Sequence, residues 1–366
     1  MRTTRLAPLY RAPGPYASAT LDVGRDDENG AHELELRVRA AADELRGAGA
    51  DPGVVETVVG RLSDPVDRPA PLTRTVVANT DGVLLDEVLQ ARVEAPEVAW
   101  GPLPVVGTWL RLQESAGTPF VLAVVDHVGG DVAVCSALVP EAQVRTSVDG
   151  ETHHVHKVPT GGWSALRYQH VVENVWKENA EAVADEIVHR VRQGPSLVLL
   201  AGDPQSRPKV VHALGAIQAE VVELDTGTRA EDGGDDAFEQ AVREALFAHT
   251  VARRLSLAHE LKQRLGRDDS VATGTKDVAD AFVRGQVDTL LLDPTAATDL
   301  TLDPGRHPGL ELGGAPLDRP LPAPAALVAA AALTGADVSV APAGAMGGAS
   351  VAALLRWDQT VEGSLG

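Results

Sequence analysis

Pro159-Thr160-Gly161-Gly162-Trp163-Ser164-Ala165-Leu166-Arg167-Tyr168-Gln169-His170 decides the reading of this chain, together with Glu173, Asn174, Trp176 and Lys177 beyond it. Two adjacent glycines open the stretch, and glycine reaches positive φ without a steric penalty. Helical spacing begins at once. Val172, Val175, Trp176, Ala180, Val183, Ile187 and Val191 recur three or four apart, which predicts one apolar face of a long helix over 165–193. Ser164 stands at the break as the expected N-cap. A glycine tip on a helix N-terminus presents free N–H groups and a partial positive charge, both of which favour phosphate. Read alone, the same stretch is also an ordinary strand-to-helix turn.

Working outward, Phe120-Val121-Leu122-Ala123-Val124-Val125-Asp126 is a continuous apolar run and predicts a strand buried on both faces. Gly129-Gly130 makes the turn, 132–138 pairs back, and strands near 143–158 lead to the tip. Beyond the long helix, 196–201 reads as a buried strand, 207–218 as a helix and 220–224 as a strand. The turn from Gly202 to Lys209 could face a phosphate. It lacks the Gly-Lys-Ser/Thr ending of a P-loop and reads as a plain strand-to-helix turn.

Upstream, 15–23 reads as a strand, followed by two helices. The second is marked by Asp51 as N-cap and Pro52 at the first helical position. Strands at 74–79 and 83–88 flank the hairpin signal Asp81-Gly82. Pro96, Pro102 and Pro104 predict a linker or crossing segment at 95–105. Downstream, Asp225 to Asp236 is an acidic, Gly-rich hinge, and a long helix follows over 237–265. A short helix to Gly285, a strand over 287–292, a Pro/Gly-rich loop over 294–320, a helix over 323–333 and a strand over 336–341 complete the order. The expected division is 1–112, 113–226 and 227–366, all α/β.

The net charge of −20 argues against non-specific nucleic-acid binding, DNA included, because phosphate contacts need Lys and Arg. Two segments escape the acidic trend. One holds His153, His154, His156, Lys157, Arg167, His170 and Lys177. The other holds Arg253, Arg254, Lys262, Arg264 and Arg267 against Glu260 alone. A solvated helix face is the ordinary account of such clusters. Arg254 and Lys262, eight apart on one predicted helix, share a face. His154 and His156 would share one face of a strand, but no Cys or carboxylate cluster completes a metal site, so no metal and no cofactor are expected. The single cysteine, Cys135, excludes an internal disulfide and suits a reducing cytoplasm. No apolar run approaches a membrane span, and the N-terminus lacks a signal-peptide core.

Gly161-Gly162-Trp163-Ser164-Ala165-Leu166-Arg167-Tyr168 resembles the Gly-Gly-Gln loop of class I archaeo-eukaryotic peptide chain release factors at every position but Trp163, which stands where the family has Gln. Two later stretches resemble the same family in the same order. The first is Val287-Asp288-Thr289-Leu290-Leu291-Leu292, like the start of that family's C-terminal α/β/α sandwich. The second is Gly347-Gly348-Ala349-Ser350-Val351-Ala352-Ala353-Leu354-Leu355-Arg356-Trp357, like its terminal glycine loop and strand. The resemblance covers roughly 120–357. The first hundred residues match no codon-reading domain, and no stop-codon tip of the Asn-Ile-Lys-Ser type is found.

The resemblance implies a three-domain, tRNA-shaped α/β protein with a release-factor-like middle domain and the ribosomal A site and peptidyl transferase centre as its partner. It also implies rRNA contacts from His156, Lys157, Gly161, Gly162, Trp163, Ser164 and Arg167, with Arg254 and Lys262 added from the basic helix. A bacterial branch of the family contains Balon-like ribosome hibernation factors, which lack the hydrolytic tip and sit in the A site with elongation factor Tu. On that likeness the expectation is a non-hydrolytic A-site occupant, with elongation factor Tu as a further candidate partner. The alternatives are a rescue factor that still cleaves peptidyl-tRNA on stalled ribosomes, and a scaffold that keeps the fold without binding ribosomes.

Overall fold

The computed structural model describes residues 6–25, 29–68, 71–116, 119–126, 129–136, 139–149, 176–225, 234–267 and 270–357. Its contacts divide the chain into two compact units, one built from Met1–Glu114 with Arg254–Gly366 and the other from Ser115–Arg253. No helix among the described residues is long and apolar enough to cross a membrane.

The first unit begins with α1 (Ala7–Arg11), β1 (Tyr16–Asp22), α2 (Gly30–Gly47) and α3 (Pro52–Ser63). The start of α3 follows from its sequence: the Asp51 carboxylate accepts from the Gly53 and Val54 amides at 2.8 and 3.3 Å, and Pro52 gives up no needed donor. β2 (Thr73–Asn79), β3 (Gly82–Leu89) and β4 (Glu97–Gly101) join β1 in an antiparallel sheet of order β3-β2-β1-β4. Alternate residues Ala17, Ala19, Leu21, Val76 and Ala78 face α2 and α3, burying Leu34, Val38, Val54, Val55 and Val58. On the buried strands Thr20 and Thr75 stand opposite each other and share a hydrogen bond of 3.0 Å.

The expected linker at 95–105 is a strand at its centre. β4 pairs antiparallel with β1 at the sheet edge, and Pro96 and Pro102 bracket it. Proline is tolerated at an edge, where one side of the backbone needs no ladder partner. The polypeptide then enters α4 (Gly107–Ala116), which ties the early sheet to the last third of the chain. Trp109 donates its indole N–H to Glu87 on β3 at 2.6 Å. Arg111 donates to the Thr295 hydroxyl at 3.1 Å, and Glu114 accepts from the buried Ser339 hydroxyl at 2.7 Å. Gly313, at φ +60, lies so close to the Tyr10 carbonyl that a Cβ there would sit 1.9 Å from the oxygen.

The rest of this unit comprises β10 (Val271–Thr273), α8 (Thr275–Val283), β11 (Val287–Leu292), the short pair β12 (Thr301–Leu302) and β13 (Leu321–Pro322), α9 (Ala323–Thr334), β14 (Asp337–Val340) and β15 (Val351–Leu355). The sheet order is β10-β15-β11-β14, so the final strand lies inside the sheet and all five of its residues are buried. Leu291, Ala352 and Leu354 face Leu257, Leu261 and Leu265 of the long helix that precedes them. By alternation, their neighbours face α8 and α9 on the other side. This is the expected α/β/α sandwich, and the terminal glycine loop serves packing.

The second unit contains β5 (Phe120–Val125), β6 (Gly129–Ser136), β7 (Val139–Asp149), α5 (Trp176–Val191), β8 (Leu197–Gly202), α6 (Arg207–Leu214) and β9 (Glu220–Glu223), in the order β7-β6-β5-β8-β9. β5, β8 and β9 are parallel, while β6 and β7 run antiparallel. Both sheet faces are covered, as the unbroken apolar run in β5 implied. Val121, Ala123 and Val125 face Ala180, Val183, Ala184 and Ile187 of α5 and Val210 and Leu214 of α6. Phe120 and Leu122 face Phe238, Val242 and Leu246 of α7 (Gly234–Arg267). Cys135 is buried on that second face, and burial pushes its thiol up to about 12, so it stays a neutral, inert packing group. Each of the segments 1–112, 113–226 and 227–366 contains at least one of these sheets, and the first part of α7, to Leu246, packs on the sheet of the middle segment.

Candidate functional site

The tip residues His156, Lys157, Gly161, Gly162, Trp163, Ser164 and Arg167 lie outside the described residues, as do His153 and His154. What is described is the pair of elements on either side of them, β7 and α5. One face of α5 is sealed into the sheet by Ala180, Val183, Ala184 and Ile187. Arg190, with its side chain 13% exposed, pairs with Glu186 one turn earlier at 2.6 Å and donates to the Thr146 hydroxyl of β7 at 2.8 Å. β7 and the C-terminal part of α5 are therefore fastened to one another, and α5 is sealed onto a core covered on both faces.

The turn after β8 has the plain role read from its sequence. Gly202 has φ +107 and faces Val125, its parallel partner, whose carbonyl would lie 1.9 Å from any added Cβ. Asp203 donates its amide to that same carbonyl at 2.8 Å. Its carboxylate accepts from both the amide and the hydroxyl of Ser206, each at 2.8 Å. Arg207 is buried and donates to the Leu224 carbonyl at 2.7 Å. A carboxylate of the chain itself thus occupies the place a phosphate would take at the start of α6.

The second expected patch is fully described. Arg254 and Lys262 both lie on α7 with exposed side chains, and neither has a hydrogen-bond or ion-pair partner among the described residues. Arg264, counted with them in the sequence, has a different role. It pairs with Glu260 at 2.5 Å and donates to the carbonyls of Leu355 and Ser270 at 2.9 and 3.2 Å. It therefore ties α7 to the end of β15 and is not available to a partner. One feature the sequence reading missed lies beside the exposed pair. Phe247, Val251 and Leu255 are large apolar side chains on α7 that are 72%, 36% and 65% exposed. Among the described residues, no group of His, Cys, Asp and Glu is arranged to hold a metal ion.

Residues 119–267 match the family described as bacterial archaeo-eukaryotic release factor family 2. The chain is release-factor-like over that span, in agreement with the resemblance drawn from the tip. Among solved structures it is similar to Archaeoglobus fulgidus Pelota, at 13% identity and a TM-score of 0.29, over 79% of this chain and 80% of that one. It is also similar to Dom34 of S. cerevisiae, a translation termination-like factor involved in RNA quality control pathways and interacting with Hbs1. That likeness is 12% identity with a TM-score of 0.39 over 79% of each chain. A third is the archaeal translation termination factor aRF1, at 15% identity and a TM-score of 0.21 over 97% of each chain. No residue role is carried over from these three. No curated protein matches the chain.

Proposed function

We propose that this protein is a tRNA-mimicking cytoplasmic factor that occupies the A site of idle ribosomes under stress without hydrolysing peptidyl-tRNA. The observation that carries the proposal is the release-factor-family match over 119–267, within which the tip has Trp163 in place of Gln. Trp offers one N–H donor on a large rigid ring and no amide carbonyl. The segments 1–112, 113–226 and 227–366 act as its three domains. Its partners are the rRNA of the A site and the peptidyl transferase centre, with elongation factor Tu as a further partner. Membranes and DNA are not among them. His156, Lys157, Gly161, Gly162, Trp163, Ser164 and Arg167 contact rRNA at the tip, and Arg254 and Lys262 contact phosphate from α7.

Two measurements test the contacts. Trp163→Ala removes a base-stacking ring worth about 1–3 kcal/mol at comparable sites. It is expected to weaken co-sedimentation with 70S ribosomes while leaving the thermal midpoint in place, and unchanged co-sedimentation excludes Trp163 as a contact. Reversing both charges, Arg254→Glu with Lys262→Glu, is expected to lower ribosome affinity at low salt. Added salt should narrow the gap to the wild type, because exposed charges are screened within about 10 Å at 0.1 M. A defect indifferent to salt counts against phosphate contacts at these positions.

The second reading is a rescue factor that cleaves peptidyl-tRNA on stalled ribosomes. What favours it is that Gly161-Gly162 and Ser164-Ala165 keep the family's residues around the substituted position. The backbone amides there would remain to position water.

A further inference from the structure

The exposed side of α7 carries more than the basic pair. At 100° per residue, Glu244, Phe247, Val251, Arg254, Leu255 and Lys262 fall within one stripe about 100° wide. All six are exposed. Phe247, Val251 and Leu255 recur every four residues, and no other helix or strand among the described residues carries two exposed large apolar side chains. The core-facing side chains of α7, such as Phe238, Val242, Leu246 and Leu261, are distinct from these. An apolar row on the outward face of a helix marks a surface that is covered when it works.

The charges say by what. The stripe begins with a carboxylate, Glu244, held by the Gln240 amide at 2.8 Å; its two cations, Arg254 between Val251 and Leu255 and Lys262 at the far end, have no partner among the described residues. A row with its carboxylate before the apolar residues and its cations in the opposite half is complementary to itself reversed. We propose that this face of α7 pairs antiparallel with the same face of a second copy of the chain, about a two-fold axis near Val251. In that register Val251 meets the partner's Val251 and Phe247 meets the partner's Leu255. Glu244 comes level with the point midway between the partner's Arg254 and the partner's Lys262, about 6 Å along the axis from each. The Val251 contact lies on the axis and occurs once, while the Phe247–Leu255 contact and each charge pair occur twice, as an isologous interface requires.

RNA fits the stripe less well. Val251 and Leu255 have nothing to offer a phosphate or a base edge, and Glu244 repels phosphate. The contact surface is a single helix face, at the small end for a specific interface, so a dissociation constant of about 10 µM is expected. Pairing covers Arg254 and Lys262. If the proposed function holds, the dimer is a form that those residues cannot use on the ribosome.

Sedimentation equilibrium of the full chain tests the pairing with no ribosome present, so its outcome is separate from that of the ribosomal reading. Between about 1 and 200 µM the wild type is expected to pass from monomer to dimer. Phe247→Asp and, independently, Leu255→Asp should each weaken the dimer at least about tenfold with the thermal midpoint unchanged. Lys262→Glu should weaken it as well, and adding Glu244→Lys to that variant should restore it. A monomer at every concentration overturns the proposal. So does a dimer indifferent to Phe247→Asp, or a Lys262→Glu defect that the second change does not repair. Loss of ribosome co-sedimentation in Phe247→Asp, with the wild type monomeric throughout, reassigns the stripe to the ribosome and likewise overturns it.

Discussion

Programmed ribosomes carrying labelled formyl-methionyl-tRNA in the P site are expected to release no formyl-methionine above the spontaneous rate when this protein is added. Hydrolysis requires a water aligned on the ester carbonyl and donors aimed at the oxyanion that develops. In the family that the tip resembles, the Gln at the third position keeps the water pocket in shape. On the proposed reading Trp163 would fill that volume with an indole, which has one donor and no carbonyl. On that reading the ring would exclude the water or displace it from the line of attack. Trp163→Gln alone is expected to restore little, because the first hundred residues do not resemble the domain that reads the stop codon and triggers accommodation. The same ribosomes, pelleted through a cushion, should carry the protein with them. Release by the wild type well above the spontaneous rate would sink the hibernation reading and promote the rescue enzyme.

The second large effect is structural and falls on Gly202. Val125 and Gly202 are parallel partners at the ends of β5 and β8, and the Asp203 amide already takes the Val125 carbonyl. A Cβ at 202 would lie 1.9 Å from that oxygen and 2.7 Å from the Val125 nitrogen, both backbone atoms that cannot step aside as a side chain can. The φ of +107 adds strain of its own. Gly202→Ala is expected to cost about 3–5 kcal/mol, from overpacking together with backbone strain. In a domain of this size that is a fall in melting temperature on the order of 10 °C, or no folded protein. Gly194→Ala is the control. Its φ of +136 is also positive but nothing lies within 4 Å of the added carbon, so about 1–3 kcal/mol is expected from strain alone. Equal losses at the two sites, measured by thermal and urea denaturation, would contradict the close approach at Gly202.

Much of the fold was legible because local chemistry and global packing agree. Asp51 and Pro52 announced a helix start, and the structure closes the cap as read. The uninterrupted apolar run at 120–125 announced a strand with two covered faces. β4 was hidden because prolines flank it. They punctuate a chain in general, and only the sheet's edge position shows why a strand survives between them. Arg264 was read as a surface cation because the carbonyls it serves, Ser270 and Leu355, are brought to it by tertiary structure. The stripe at Phe247, Val251 and Leu255 was missed for a related reason. Helical spacing shows that residues share a face but not which face the core claims, and α7 has apolar residues on both. The candidate tip was readable as a motif alone.

The unit that joins the beginning of the chain to its end also has a history in time. Arg111 and Thr295 are separated by 184 positions, and Glu114 and Ser339 by 225. A chain emerging from the ribosome residue by residue has its first sheet in hand early, but must wait for its last third before α4 finds these partners. Residues 115–253 make their own core and have no such delay. Nascent chains fold in the order in which complete units become available. The inserted unit can therefore complete its core before α4 meets Thr295 and Ser339, and a message truncated before Thr295 leaves α4 without either partner.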